Sequence, residues 1–250
     1  MLDHPPPPRL SLALSEFPRS GKEMSHLLLS MRRLVRQARR GDGHPVLTLP
    51  GYGAGDSSMA LVRHYLNKIG YQAHPLKLGI NYDTAEDSIR RIEDAAAFRR
   101  KMTGLVIKRI REIYQREHRP VSLIGWSMGG TYALDASQEI PLLTRQVISL
   151  GAPYGDPRST SLYKVLNRIK GTDVPLEEQD FNVWLKLRSL KTGAVPIKVV
   201  YSERDGIVPS GAARLKDHPC VEYIEVDSSH LGFSANPKVF EVLEQLLASS

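Results

Sequence analysis

The chain has 250 residues, 41% hydrophobic and 24% charged, which fits one large globular domain able to bury a full core. A lone cysteine, Cys220, excludes an intrachain disulfide and fits a reducing cytoplasm, and no uncharged apolar run reaches the roughly 18 residues that span a bilayer. The net charge of +7 could attract nucleic acid or an acidic membrane, but no zinc-binding cysteine pair or aromatic RNA-binding motif accompanies it. It reads as a basic solvated surface, and no nucleic-acid partner is expected.

The chain begins Met1-Leu2-Asp3-His4 and continues with Pro5 to Pro8. No basic stretch followed by an apolar one is visible, so no signal peptide is expected. Residues 1–19 read as a flexible, proline-rich lead-in. Ser20-Gly21-Lys22-Glu23 has the serine and glutamate of a capping box. Met24, Leu27, Met31, Leu34 and Ala38 follow at helical spacing, with Leu28 and Val35 beside them, and arginines from Arg32 to Arg40 crowd the last turns. Residues 20–43 therefore read as a basic amphipathic helix, suited either to packing on the main domain or to weak contact with a membrane surface.

From residue 44 short apolar runs alternate with helical stretches. Strands are expected at 46–49, 72–78, 121–124, 147–150, 197–201 and 221–226, and helices at 58–69, 85–117 (broken near Gly104), 131–139 and 237–247. This alternation predicts an α/β fold with a mostly parallel sheet of about six strands flanked by helices. The stretch 155–192 exceeds what one crossover needs and reads as a small helical cap. Its Tyr163, Val165, Leu166, Phe181, Val183, Trp184, Leu185 and Leu187 suit either an acyl pocket or the seam between cap and body.

The expected strand 121–124 runs into Gly125-Trp126-Ser127-Met128-Gly129. A serine in this Gly-x-Ser-x-Gly setting stands on a sharp strand-to-helix turn with its hydroxyl clear of the sheet. A neutral hydroxyl is a poor nucleophile, so Ser127 needs a base and a group to orient that base. Asp205 lies just past the fifth strand, and His230 follows the last one. Asp156, after the fourth strand, is the alternative acid. Acyl transfer also needs backbone N–H donors for the developing oxyanion. Met128 is one candidate, and Tyr52, in the glycine-rich loop Pro50-Gly51-Tyr52-Gly53-Ala54-Gly55, is the other. That loop lacks the Gly-Lys-Ser/Thr ending of a phosphate cradle.

These segments, together with Ile148-Ser149-Leu150-Gly151-Ala152-Pro153-Tyr154-Gly155 and Ser229-His230-Leu231-Gly232, resemble the α/β-hydrolase superfamily, and within it bacterial lipases and carboxylesterases of the triacylglycerol-lipase type. The resemblance covers roughly residues 44–250. It implies a Ser127/Asp205/His230 triad, an oxyanion hole from the amides of Tyr52 and Met128, and hydrolysis of a small-molecule or lipid ester without metal or organic cofactor. Pro50-Gly51 stands where a His-Gly pair is usual, and the two leading antiparallel strands of the full fold are not evident. Trp126 and Met128 flank the serine and suit a substrate that is apolar near its acyl group, with Trp126 as a binding residue. An acyltransferase with the same triad, or a catalytically silent binding protein on this fold, are the competing readings.

Overall fold

The computed structural model describes residues 5–84, 88–161, 163, 181–186, 195–215 and 221–249. Six strands form one sheet: β1 (Pro45–Leu49), β2 (Gln72–Pro75), β3 (Val121–Trp126), β4 (Thr144–Leu150), β5 (Ile197–Tyr201) and β6 (Val221–Glu225). Their order is β2-β1-β3-β4-β5-β6 and every pairing is parallel. Helices α1 (Leu10–Leu14), α2 (Glu16–Gln37), α3 (Ala60–Lys68), α4 (Ile92–Glu117), α5 (Met128–Glu139) and α6 (Pro237–Ala248) accompany it.

Successive strand residues point to opposite faces, and the two halves of the core follow that alternation. Val46, Ile124, Ile148 and Val200 pack with Leu27, Leu34, Leu66, Phe240 and Leu243 from α2, α3 and α6. Leu47, Leu123 and Val147 pack with Val106, Ile110, Tyr132 and Ala136 from α4 and α5. Apolar on both sides, the central strands are wholly buried, as a parallel sheet covered by helices requires.

The chain runs outward from β1 to β2, then returns to place β3 on the other side of β1. The connections leaving β1 and β3 therefore diverge, and a crevice opens between them at the carboxyl ends of the strands, where open α/β sheets bind ligands.

α5 and β4 each start three residues earlier than expected, at Met128 and Thr144, α2 ends at Gln37 rather than near residue 43, and three further differences have a visible cause. The N-terminal helix starts at Glu16 rather than Ser20, and residues 10–14 of the expected flexible lead-in are helical. Pro18 falls in the first turn of α2, where its missing N–H costs nothing. The capping box does not form: the Ser20 hydroxyl donates to the Phe17 carbonyl, and the Glu23 carboxylate reaches out of the helix to Ser229. Second, β2 stops at Pro75, because the Leu76 and Lys77 amides turn to the Asp56 carboxylate (2.9 Å each) and Lys77 takes a φ of 63°. Third, α4 begins at Ile92 and passes unbroken through Gly104. A glycine there costs about 1 kcal/mol relative to alanine. The burial of Met102, Val106, Ile107 and Ile110 on either side outweighs it.

Among the described residues no strand precedes β1, and no helix is long and apolar enough to cross a membrane. Most of the expected cap, including Val165, Leu166, Leu187 and the side chain of Leu185, lies outside the described residues. Of the remainder, Phe181 and Trp184 are buried against Ile92 of α4, with the Arg99 guanidinium 4.7 Å from the Trp184 ring centroid.

Candidate active site

Ser127 joins β3 to α5 with φ 53° and ψ −126°. A non-glycine residue at positive φ costs on the order of 1–3 kcal/mol and persists only where its surroundings enforce it. Here they do. The Ser127 amide donates to the Leu150 carbonyl and its own carbonyl accepts from the Gly130 amide, both at 2.9 Å. The motif glycines make the crossing possible. A Cβ on Gly125 would collide with the Gly129 carbonyl, and one on Gly129 would collide with the Leu49 oxygen.

Asp205 and His230 stand on the loops after β5 and β6, both almost wholly buried. The imidazole Nδ1 lies 2.7 Å from Asp205 Oδ2. Asp205 Oδ1 accepts from the amides of Ile207 (2.8 Å) and Val208 (2.7 Å), which fixes the carboxylate plane. Burial alone would push the His230 pKa down, but the Asp205 charge and hydrogen bond, with a further contribution from Glu16, outweigh it, and the net shift is upward. Trp126 donates its indole N–H to the His230 carbonyl at 2.9 Å, and its ring lies 5.9 Å from the imidazole. Trp126 thus both borders the cavity and supports the histidine loop. Asp156 is not brought to His230; its carboxylate is held by the guanidinium of Arg158.

The loop after β1 presses against the serine, since a Cβ on Gly51 would lie 3.1 Å from the Ser127 Cβ. Two residues of the loop after β2 brace it, neither singled out by the sequence. Asn81 donates to the Pro50 carbonyl (3.2 Å) and accepts from the Gly53 amide through its own carbonyl (2.6 Å), and Asp83 accepts from the Tyr52 hydroxyl. Burial first, and then Asp83, push the Tyr52 phenol above its usual range, so it stays a donor. The Met128 amide opens α5, where helical N–H groups have no intrahelical acceptor. Ser127, His230, Gly51, Tyr52, Trp126 and Met128 all border one cavity of about 180 Å³ whose walls are mainly apolar.

A hydrogen-bonded serine–histidine–aspartate relay lies at the end of the sheet opposite Ser127. His44 Nδ1 is 2.5 Å from Asp42 Oδ1, and its Nε2 is 2.8 Å from the Ser122 hydroxyl. Ser122 is fully buried in the extended backbone of β3 and also accepts from Gln146 at 3.3 Å. Burial pushes the His44 pKa down. No substrate can reach this serine, so the relay is structural, tying β1 to β3 and β4. Among the described residues no group of three or more His, Cys, Asp or Glu side chains gathers to hold a metal ion.

Three α2 side chains beside the Asp205 and His230 loops were not foreseen from the sequence as contacts of those loops. Glu16, a fully buried carboxylate, accepts from the amides of Gly206 (2.7 Å) and Leu231 (3.1 Å). Arg19 donates to the Arg204 carbonyl at 2.6 Å, and Glu23 accepts from the Ser229 amide at 2.8 Å. A partial signal existed for Glu23 alone, as the supposed capping-box glutamate.

No protein-family model matches the chain, and no curated protein matches it. Solved structures do. The mature form of a Bacillus licheniformis lipase, BlEst2, aligns at 18% identity with a TM-score of 0.58 over 84% of this chain and 94% of that one. A structure from work on two metagenome-derived lipolytic enzymes, LipS and LipT, aligns at 15% and 0.58 over 85% and 96%. A lipase-esterase related protein of Clostridium acetobutylicum aligns at 16% and 0.56 over 83% and 96%. At such identities the likeness speaks for the fold, and with the strand order above it makes this an α/β-hydrolase fold.

Proposed function

We propose, taking the α/β-hydrolase fold as premise, that the protein is a serine hydrolase of carboxylic esters. One observation carries the reading. Ser127, at positive φ on the turn after β3, borders the same cavity as a His230 whose Nδ1 is hydrogen-bonded to Asp205.

In the proposed reaction His230 Nε2 takes the proton from Ser127 as the hydroxyl oxygen attacks the ester carbonyl. Asp205 holds the ring with its Nδ1 proton facing the carboxylate, so Nε2 is left as the acceptor. The amides of Tyr52 and Met128 bind the oxyanion. As the tetrahedral intermediate collapses, His230 returns the proton to the departing alkoxide, which leaves as the alcohol. Water, deprotonated by the same histidine, then releases the acid and restores Ser127. The apolar walls, Phe98, Tyr132 and Trp184 among them, favour a neutral acyl group. Cys220, with no partner for a disulfide, suits a reducing cytoplasm.

The test joins a label to a product assay. A fluorophosphonate is expected to attach to Ser127 and to block hydrolysis of p-nitrophenyl esters. Labelling that is absent, or that persists after Ser127→Ala, overturns the reading. With an added alcohol in the assay, transfer product exceeding free acid would reassign the protein as an acyltransferase.

The ester is proposed to be met at a lipid surface. α2 turns Leu27 and Leu34 inward, yet α1 and α2 leave Leu14 (70% exposed), Phe17 (77%), Leu28 and Leu29 (86%) in solvent, with Arg32, Arg33 and Arg36 exposed beyond them. Apolar side chains next to a basic turn suit an anionic bilayer. Vesicles containing phosphatidylserine are expected to retain the protein at low salt. The double variant Phe17→Ser/Leu29→Ser should reduce retention several-fold, while activity on a short soluble ester stays the same. Unchanged retention refutes the lipid-surface proposal.

A further inference from the structure

We propose that Glu16, with Arg19 and Glu23, is a positioning residue of the triad, bracing the Asp205 and His230 loops from a single face of α2; this rests on the Ser127/Asp205/His230 reading.

The residues on either side of both triad members are held by the same helix. Before Asp205, the Arg204 carbonyl accepts from Arg19; after it, the Gly206 amide donates to Glu16. Before His230, the Ser229 amide and hydroxyl donate to Glu23; after it, the Leu231 amide donates to the other oxygen of Glu16. One carboxylate thus spans the gap between two loops from different strands. The contact is close: a Cβ on Gly232 would collide with the Glu23 carboxylate, and one on Gly206 would lie 2.6 Å from the Leu12 carbonyl of α1.

A carboxylate suits this place because it offers two acceptors and no donor. The substitution Glu16→Gln would keep the shape, but the new NH₂ would face one of the two backbone N–H groups, leaving a buried donor without an acceptor. The loops would part at that point, and with them the 2.7 Å contact on which the base depends. A misplacement of about 1 Å from outside the reacting atoms can cost on the order of 10²-fold in rate.

Charge adds a second consequence. Among the described residues, the titratable groups that face His230 are Asp205 from the β5 loop and Glu16 and Glu23 from α2, with Arg19 3.9 Å from Glu16, and the Trp126 and Phe233 rings lie beside the imidazole. Glu16 helps raise the His230 pKa, so its neutralisation moves that pKa down.

The experiment compares wild type, Glu16→Gln, Glu23→Gln and Ser127→Ala on a short neutral p-nitrophenyl ester. Alongside it, the His230 ring is titrated by NMR in the Ser127→Ala chain with and without Glu16→Gln. Glu16→Gln is expected to lower kcat by about 10- to 100-fold with KM within about twofold. The acid limb of kcat/KM and the NMR midpoint of His230 should both move to lower pH. Glu23→Gln, at a partly exposed site, should show a smaller kcat loss and serves if Glu16→Gln does not fold. A brace that is merely structural would lower the thermal midpoint and leave kcat, the acid limb and the NMR midpoint unmoved; that result overturns the proposal. Retained activity in Ser127→Ala would instead sink the nucleophile assignment, and the NMR midpoint would still decide the role of Glu16.

Discussion

Ser127→Ala is expected to lower kcat on a p-nitrophenyl ester by on the order of 10⁶-fold, the scale seen when a serine hydrolase loses its nucleophile. The substitution removes one oxygen at the cavity edge and leaves the fold untouched. The backbone contacts that hold the turn, to Leu150 and from Gly130, are main-chain and survive in alanine. Alanine also accepts the φ of 53° no worse than serine does. The thermal midpoint should therefore stay within a few degrees of wild type while activity disappears. Residual hydrolysis near the wild-type rate would mean that another group attacks the ester.

Asp205→Asn should reduce kcat by about 10⁴-fold, the loss known for the equivalent change in a serine protease. Local geometry explains why an isosteric change is so costly. Asp205 Oδ1 faces two backbone N–H groups, those of Ile207 and Val208. An asparagine keeps its carbonyl oxygen toward them and turns its NH₂ to His230 Nδ1. The ring must then accept at Nδ1 and carry its proton on Nε2, the wrong tautomer to receive the proton of Ser127. The pH profile gives an independent check. Neutral His230 is the base, so kcat/KM rises with pH as the imidazolium loses its proton. Because the pKa is raised, the wild-type acid limb is expected above the ordinary histidine value of 6.5, and Asp205→Asn should move it down. An acid limb that does not respond would separate Asp205 from the base.

How much of this was legible in the sequence depended on how far apart the interacting residues lie. The Ser127 turn was readable because its causes are local: glycines two residues to either side, an apolar strand before and a helix after. Asp205 and His230 were readable from chain order, since each follows a strand whose end lies on the same side of a parallel sheet. Chain order and the resemblance already favoured Asp205 over Asp156; the structure adds the reason Asp156 is occupied, its carboxylate being held by Arg158. Of the α2 contacts only Glu23 left a trace in the sequence, and that as a capping-box residue. Glu16 meets Gly206 and Leu231 across 190 and 215 residues, and no periodicity encodes a contact of that separation. The run Pro5 to Pro8 and a serine–glutamate pair pulled the expected helix start to Ser20, past Glu16.

The Asp42–His44–Ser122 relay, buried at its histidine and serine and exposed at Asp42, bears on how a hydrolase site is told from a structural one. A search for the three residue types alone would return this chain at both ends of the sheet. Adding two filters, solvent reach of the hydroxyl and a positive φ at the serine, discards the hit on Ser122 and keeps the one on Ser127. The false hit is informative too, because it shows a buried histidine satisfied between strands by a serine and a carboxylate with no catalytic role. Ser127, unlike Ser122, combines a reachable hydroxyl with a backbone at positive φ.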